Sequence, residues 1–245
     1  MPHITTLLNQ KGGIGKSTIA VNLAAVYSEI LDGPDAEVPS VAVVSVDPQG
    51  TSIEWAGKVE KSGRKVPFHV LDMSDRLKDL KRLRQGKASI IIVDTPGFLP
   101  LKTGDGSLDP LGDGTVGDTL RAVLDITDDV MVPLETEGAG FTPTRTTIER
   151  VIKPRQIPYG VVLSNWDPRD NTLDLERTKN LATKAQWSLF KSTIRKYKLH
   201  GRGITEGRFC TQYENSHTAT KAKQDFLALA LEHQLVRHKR AAGEL

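Results

Sequence analysis

Cysteine is almost missing from this chain. Cys210 is the only one in 245 residues, which excludes an internal disulfide framework and a cluster of cysteine ligands within one subunit. No apolar run approaches the roughly 20 residues that span a bilayer, and the opening Met1-Pro2-His3 has none of the character of a secretion signal. A cytosolic protein with no membrane partner is therefore expected. Charge of one sign is also lacking in bulk: Lys and Arg number 33 against 30 Asp and Glu. That margin does not argue for nucleic acid, so where the charge sits matters more than its sum. No internal repeat is present. What remains, 38% hydrophobic and 26% charged residues, is ordinary for a globular protein. The length suits one α/β domain over 1–245.

The most specific stretch is Asn9-Gln10-Lys11-Gly12-Gly13-Ile14-Gly15-Lys16-Ser17-Thr18. It follows a strand-like run, 3–8, and opens onto a helical pattern over 19–31. Glycines let the backbone approach a ligand and adopt positive φ. Successive N–H groups at a helix N-terminus then face an anion. In such a phosphate loop Lys16 is expected to reach the β- and γ-phosphates, and Ser17 to bind Mg²⁺. The spelling departs from the usual one, which asks for glycine where Gln10 stands, and it carries an additional lysine, Lys11. Two lysines are more than one triphosphate in one subunit requires.

The run Lys-Gly-Gly-Ile-Gly-Lys-Ser-Thr resembles the deviant-Walker-A ATPases, the ParA/MinD group. The resemblance implies ATP with Mg²⁺, held by Gly12, Gly13, Ile14, Gly15, Lys16, Ser17 and Thr18. It also implies an ATP-dependent homodimer in which Lys11 reaches the partner's phosphates.

Further apolar runs at 41–46, 66–71, 90–93, 130–134 and 159–163, and a weaker one at 188–194, alternate with helical patterns. Those patterns lie near 52–61, 74–84, 144–152, 173–184 and 220–238. The alternation predicts a doubly wound, mostly parallel sheet with helices on both faces. In such a sheet ligands sit at the carboxyl ends of strands. Asp47, in Asp47-Pro48-Gln49-Gly50, would then face the nucleotide, although the same spelling also suits a plain turn. The family's Asp-Pro-Gln-Gly switch makes Asp47 the expected residue for aligning the attacking water. Asp94 ends the run Ile90-Ile91-Ile92-Val93 and is expected near Mg²⁺ through water, as in a Walker B strand. Thr95-Pro96-Gly97 supplies a loop able to sense the γ-phosphate.

The stretch 99–119 is rich in glycine and aspartate and is expected to be a mobile surface loop; it does not complete a calcium-binding EF-hand loop. Pro133 to Gly140 should line the nucleotide or the dimer interface. Asn165 offers an amide that both donates and accepts, which suits an adenine edge; relatives place an asparagine near here, and an Asn/Asp/Pro turn is the other reading. The C-terminal third is basic, with Lys191, Arg195, Lys196, Lys198, Arg202 and Arg208 crowded around a single acid, Glu206. Basic residues on one face give DNA affinity without reading sequence. By resemblance Arg195 and Lys221 fall nearest the family's positions for non-specific DNA. The apolar stripe of the last helix is expected to pack on its own sheet.

Together with the resemblance, these features imply a DNA-partition ATPase of the short plasmid type, without an N-terminal helix-turn-helix and associated with the nucleoid; the resemblance alone implies stimulation by a ParB-like centromere-binding protein. Rival expectations are a MinD-like membrane-cycling ATPase and a small-substrate enzyme of the dethiobiotin-synthetase type. A relative that positions another cargo, such as a microcompartment, is a further one.

Overall fold

The computed structural model describes residues 1–33, 37–98, 110–136, 140–169, 172–214 and 216–244. Strand β1 (His3–Leu7) runs through the glycine loop into α1 (Lys16–Leu31). Then come β2 (Val41–Ser45), α2 (Thr51–Lys61) and β3 (His69–Asp72). After β4 (Ile90–Asp94) the described chain resumes with α3 (Thr115–Leu124) and β5 (Asp129–Glu135). Helix α4 (Phe141–Thr146) passes into a π-helical turn, Thr147–Ile152, before β6 (Tyr159–Trp166). The chain closes with α5 (Leu173–Lys184), β7 (Leu189–Arg195), α6 (Lys198–Glu206) and α7 (His217–Ala241).

All seven strands form one sheet in the order β3-β2-β4-β1-β5-β6-β7, and every pairing is parallel. Successive side chains enter opposite layers, as strand geometry requires. Val41 and Val43 join the layer of Ile19, Trp55 and Phe226, whereas Ala42 and Val44 join Leu80 and Val123. Burial on both faces explains why these strands read as continuous apolar runs. Strand β1 lies between β4 and β5, where the chain stops building one half of the sheet and starts the other. That reversal opens a crevice at the carboxyl ends of the strands.

Five stretches depart from expectation, each for a local reason. The apolar run at 66–71 becomes a strand only from His69, because Pro67 has no N–H for the ladder. The pattern at 74–84 folds as a 3₁₀ segment, Leu77–Gln85. Its leucines at 77, 80 and 83 recur every three residues, the 3₁₀ rather than the α repeat. Helix α3 begins at Thr115, inside the stretch read as loop, while 99–109 lie outside the described residues. Its Leu120, Val123 and Leu124 are buried, a pattern masked by the glycines before it. Helix α4 starts three residues earlier than expected, and its second half is π-helical. Helix α6 was not foreseen, since Gly201 and Gly203 are poor helix formers. Gly203 is there because Trp55 of α2 leaves no space: a Cβ would stand 2.6 Å from the indole ring. The Trp55 indole N–H also donates to the Arg208 carbonyl at 3.0 Å, fastening α2 to the end of α6.

Candidate functional site

The glycine loop leaves β1 at the sheet's centre and turns into α1 through two positive-φ glycines, Gly13 (70°) and Gly15 (91°). Left-handed backbone is cheap only for glycine, so at these positions the sequence dictates the cradle directly. Asn9, wholly buried, pins the loop: its side-chain amide donates to the Pro133 carbonyl at 2.8 Å and the Thr144 hydroxyl at 2.7 Å, and its oxygen accepts from the Lys11 N–H at 2.9 Å. The Gln10 N–H donates to the Thr147 hydroxyl at 3.0 Å. Thr144 and Thr147, three residues apart on one face of the helix, are both buried, and the helix passes there from α to π, a rare irregularity that clusters at functional sites. The sequence announced neither contact.

From the other side the β4 loop closes on the glycines. The Thr95 hydroxyl donates to the Leu7 carbonyl at 2.6 Å, and the Phe98 N–H donates to the Gln10 carbonyl at 3.1 Å. Gly97 comes so near that a Cβ would meet the Gly12 nitrogen at 3.0 Å. Between these walls lies a cavity of about 520 Å³, lined by Gly12, Gly13, Gly15, Lys16, Ser17 and Thr18, with Asp47, Gln49 and Thr51 across from them. Seven of the expected residues thus surround one space. The side chain of Ile14 is buried in the core, and its carbonyl accepts from Ser164. The Asp47 carboxylate lines the cavity while accepting the Gln49 N–H at 2.9 Å to close a turn.

The charges here are unusual. Lys16 is almost entirely buried and folds over the loop, donating to the Lys11 carbonyl at 3.0 Å and, more weakly, to that of Asn9 at 3.3 Å. Burial lowers its pKa, against the opposing pull of Asp94 and Asp47. Asp94 is fully buried, and neither carboxylate oxygen has a hydrogen-bond partner of good geometry among the described residues. Burial raises its pKa to about 6, although the nearby Ser17 and Ser52 hydroxyls pull the other way. An orphaned carboxylate beside a serine at the mouth of a phosphate loop is a donor set that fits a hard divalent cation such as Mg²⁺.

Lys11 and Asn165 meet on a residue the sequence had not singled out. The Lys11 ammonium is paired with the Glu135 carboxylate, whose other oxygen accepts from the Asn165 amide at 3.0 Å. Asn165 itself has positive φ (59°) at the end of β6. Its amide nitrogen is therefore engaged within the chain, apart from the phosphate cavity. Glu135 ends β5, in the segment expected to line the site, and that position was its one signal. Residues 137–139 of the same segment lie outside the described residues.

The two basic residues expected at DNA lie elsewhere. Arg195 clamps Asp225 of α7 through its side-chain Nε at 3.0 Å and its own backbone N–H at 3.0 Å, and packs against the Tyr197 ring. With Asp225 buried, that charge holds β7 to α7. Lys221, half-buried on α7, supplies its carbonyl to the same arginine at 3.3 Å. Exposed cations rim a groove of about 590 Å³ at the carboxyl ends of β6 and β7, formed by Lys196, Lys198 and Arg202 with Tyr197 and Tyr213, and Asp167 and Glu206 also line it. Among the described residues no helix is long and apolar enough to cross a membrane.

No protein-family profile matches the chain. It is 30% identical over 233 residues to the maintenance of carboxysome distribution protein A of Gloeobacter kilaueensis, covering 94% of each chain. Its fold matches the cell division ATPase MinD of Pyrococcus furiosus with a TM-score of 0.68 at 18% identity, covering 96% of this chain and all of that one. A plasmid partition protein of Borrelia burgdorferi bound to AMPPNP superposes with a TM-score of 0.65 at 19% identity, over 95% and 100% of the two chains.

Proposed function

Since the chain belongs to the ParA/MinD family of ATPases, we propose that it is a positioning ATPase whose ATP-bound dimer holds DNA without sequence preference and releases it after slow hydrolysis. The observation that carries this reading is the placement of two surfaces on one edge of a parallel sheet. The phosphate cavity follows β1, β2 and β4, and the basic groove follows β6 and β7.

The reaction is phosphoryl transfer to water, for which a protein supplies positioning and charge rather than covalent chemistry. The loop N–H groups and Lys16 hold the β- and γ-phosphates. Lys16 must leave the carbonyls it now touches, and its desolvated ammonium is drawn to the anion instead. Ser17 and Asp94 would hold Mg²⁺, which neutralises charge developing on the phosphoryl oxygens. Asp47 aligns the attacking water from across the cavity. Lys11 leaves Glu135 to reach the second subunit's phosphates, and Asn165, once released, reads the adenine edge. DNA binds at Lys196, Lys198 and Arg202, with Lys221 behind them.

In this reading the cargo is DNA, brought by a ParB-like partner that stimulates turnover, and the protein is then cytoplasmic and nucleoid-associated. One observation favours a second cargo: the relative at 30% identity is named for carboxysome distribution. A protein body carried by an adaptor would use the same DNA-riding cycle. The test is retention of duplex DNA with ATP, with ADP and without nucleotide, at two salt concentrations. ATP-dependent retention that falls as salt rises is expected. No retention in any state overturns the reading, and ATP-dependent binding to anionic liposomes in the same series would replace it with membrane cycling.

A further inference from the structure

At the opposite edge of the sheet, away from the nucleotide, three side chains from distant parts of the chain converge. His3 opens β1, Asp129 opens β5 and His233 lies in α7. Their donor atoms all lie within 4.8 Å of one another. Nε2 of His3 is 3.0 Å and Nε2 of His233 is 2.9 Å from the same oxygen, Oδ2 of Asp129. We propose that His3, Asp129 and His233 form a binding site for a divalent transition metal of the zinc class, clamping α7 to the amino edge of the sheet.

Three observations carry this. The first is the asymmetry of the carboxylate. In a purely hydrogen-bonded clasp each oxygen could take one imidazole, yet both rings crowd Oδ2 while the buried Oδ1 has no partner. Such an orphaned acceptor inside a protein calls for a ligand. The second is the support behind each ring. Nδ1 of His233 is 2.7 Å from the Tyr27 hydroxyl, and Nδ1 of His3 faces Asp128 at 3.9 Å. Asp128 is itself fixed by two Arg84 hydrogen bonds of 2.8 Å and by the Ile4 N–H. Metal-bound imidazoles are held in this manner, the outer nitrogen oriented by a hydroxyl or carboxylate. The third is access: His233 and Asp129 are buried, but His3 borders a cavity of about 410 Å³ that also touches Pro158, Arg237 and Arg240. Two imidazoles and one carboxylate leave a fourth position for water from that side. The two imidazole–carboxylate separations, 3.0 and 2.9 Å, approach the roughly 3.3 Å edge of a tetrahedron with bonds of about 2.0–2.1 Å, and the two imidazole nitrogens lie within 4.8 Å of each other. Arg240, 4.0 Å from Oδ2 and anchored on the Tyr159 carbonyl, is a cation that a metal would have to displace, and Arg237 borders the same cavity.

The test uses the full chain, stripped with chelator, without nucleotide and in excess Mg²⁺ so that the phosphate site does not report. Zn²⁺ is titrated by calorimetry, and Co²⁺ by its visible absorption. One equivalent per chain is expected, with the strong absorption of four- or five-coordinate Co²⁺ and a higher thermal midpoint at saturation. His3→Ala, at the rim, should keep the fold and weaken binding at least 100-fold; Tyr27→Phe should weaken it about 10-fold through the outer support. Should His233→Ala not fold, the His3 variant decides alone. Binding without a one-to-one endpoint, or His3→Ala binding as tightly as the wild type, would overturn the site and leave the cluster as a hydrogen-bonded clasp.

Discussion

Replacing Glu135 by Gln should make the protein dimerise more readily. The change removes the charge that now holds Lys11 but keeps an oxygen for the Asn165 amide. Lys11 is about a third exposed and Glu135 less, so the pair is neither a surface contact nor a buried one. Exposed pairs contribute below ~1 kcal/mol, and hydrogen bonds to a charged group ~1.5–3 kcal/mol. We take about 1 kcal/mol, discounted for solvent. A symmetric dimer must break this contact once in each subunit, so the gain is about 2 kcal/mol, or roughly 30-fold in the dimer dissociation constant. Sedimentation equilibrium with a non-hydrolysable ATP analogue measures it. In a Lys11→Ala background the Glu135→Gln change should give no further gain, since the two residues act through one contact. An unchanged or weaker dimer in Glu135→Gln would refute the argument that this pair restrains Lys11.

Lys16→Ala should abolish ATP binding by calorimetry; normal affinity would remove the loop from the mechanism. Asp47→Ala should bind ATP and dimerise yet turn over at least tenfold more slowly, a result that single-turnover phosphate release would show. Asp94→Asn should stabilise the nucleotide-free fold, because a buried carboxylate with a pKa raised to about 6 costs stability once ionised. The sign is that this cost is absent below pH ~4, grows as pH rises through 6 and is then complete. The thermal midpoint of the variant should therefore exceed the wild type at pH 7.5, the two should converge near pH 4, and Mg²⁺-dependent turnover should be lost. Lys198→Glu with Arg202→Glu should weaken ATP-dependent DNA retention at least tenfold and flatten its salt dependence, whereas Arg195→Gln should chiefly lower stability.

The nucleotide half of this protein was legible because its residues do local work. Gly13 and Gly15 have positive φ, and a strand that ends in Asp94 or two residues before Asp47 places that carboxylate at the sheet edge. What stayed hidden depends on distance along the chain. Glu135 gains meaning only when β5 lies beside β1 and brings it to Lys11. Thr144 and Thr147 matter because the helix beyond β5 shifts to a π turn under the loop. Arg195 looked available because sequence shows its basic neighbours and not Asp225, thirty residues on. Helix α6 broke the propensity rule for the sake of a neighbouring indole.

That indole has a consequence for the ATPase cycle. Helix α2 begins one residue after Gly50, the end of the Asp47 turn, and carries Trp55 against Gly203 of α6, the residue after Arg202 on the helix that Lys198 opens. There is no slack at the contact, so α2 cannot tilt without either dragging α6 or opening a void beneath the indole. Any shift of the Asp47 turn would thus be delivered as a displacement of the cationic helix. On the DNA-holding reading proposed above, release would need no sensor of its own: the clock and the grip would share one axle, and its bearing is a missing methyl group.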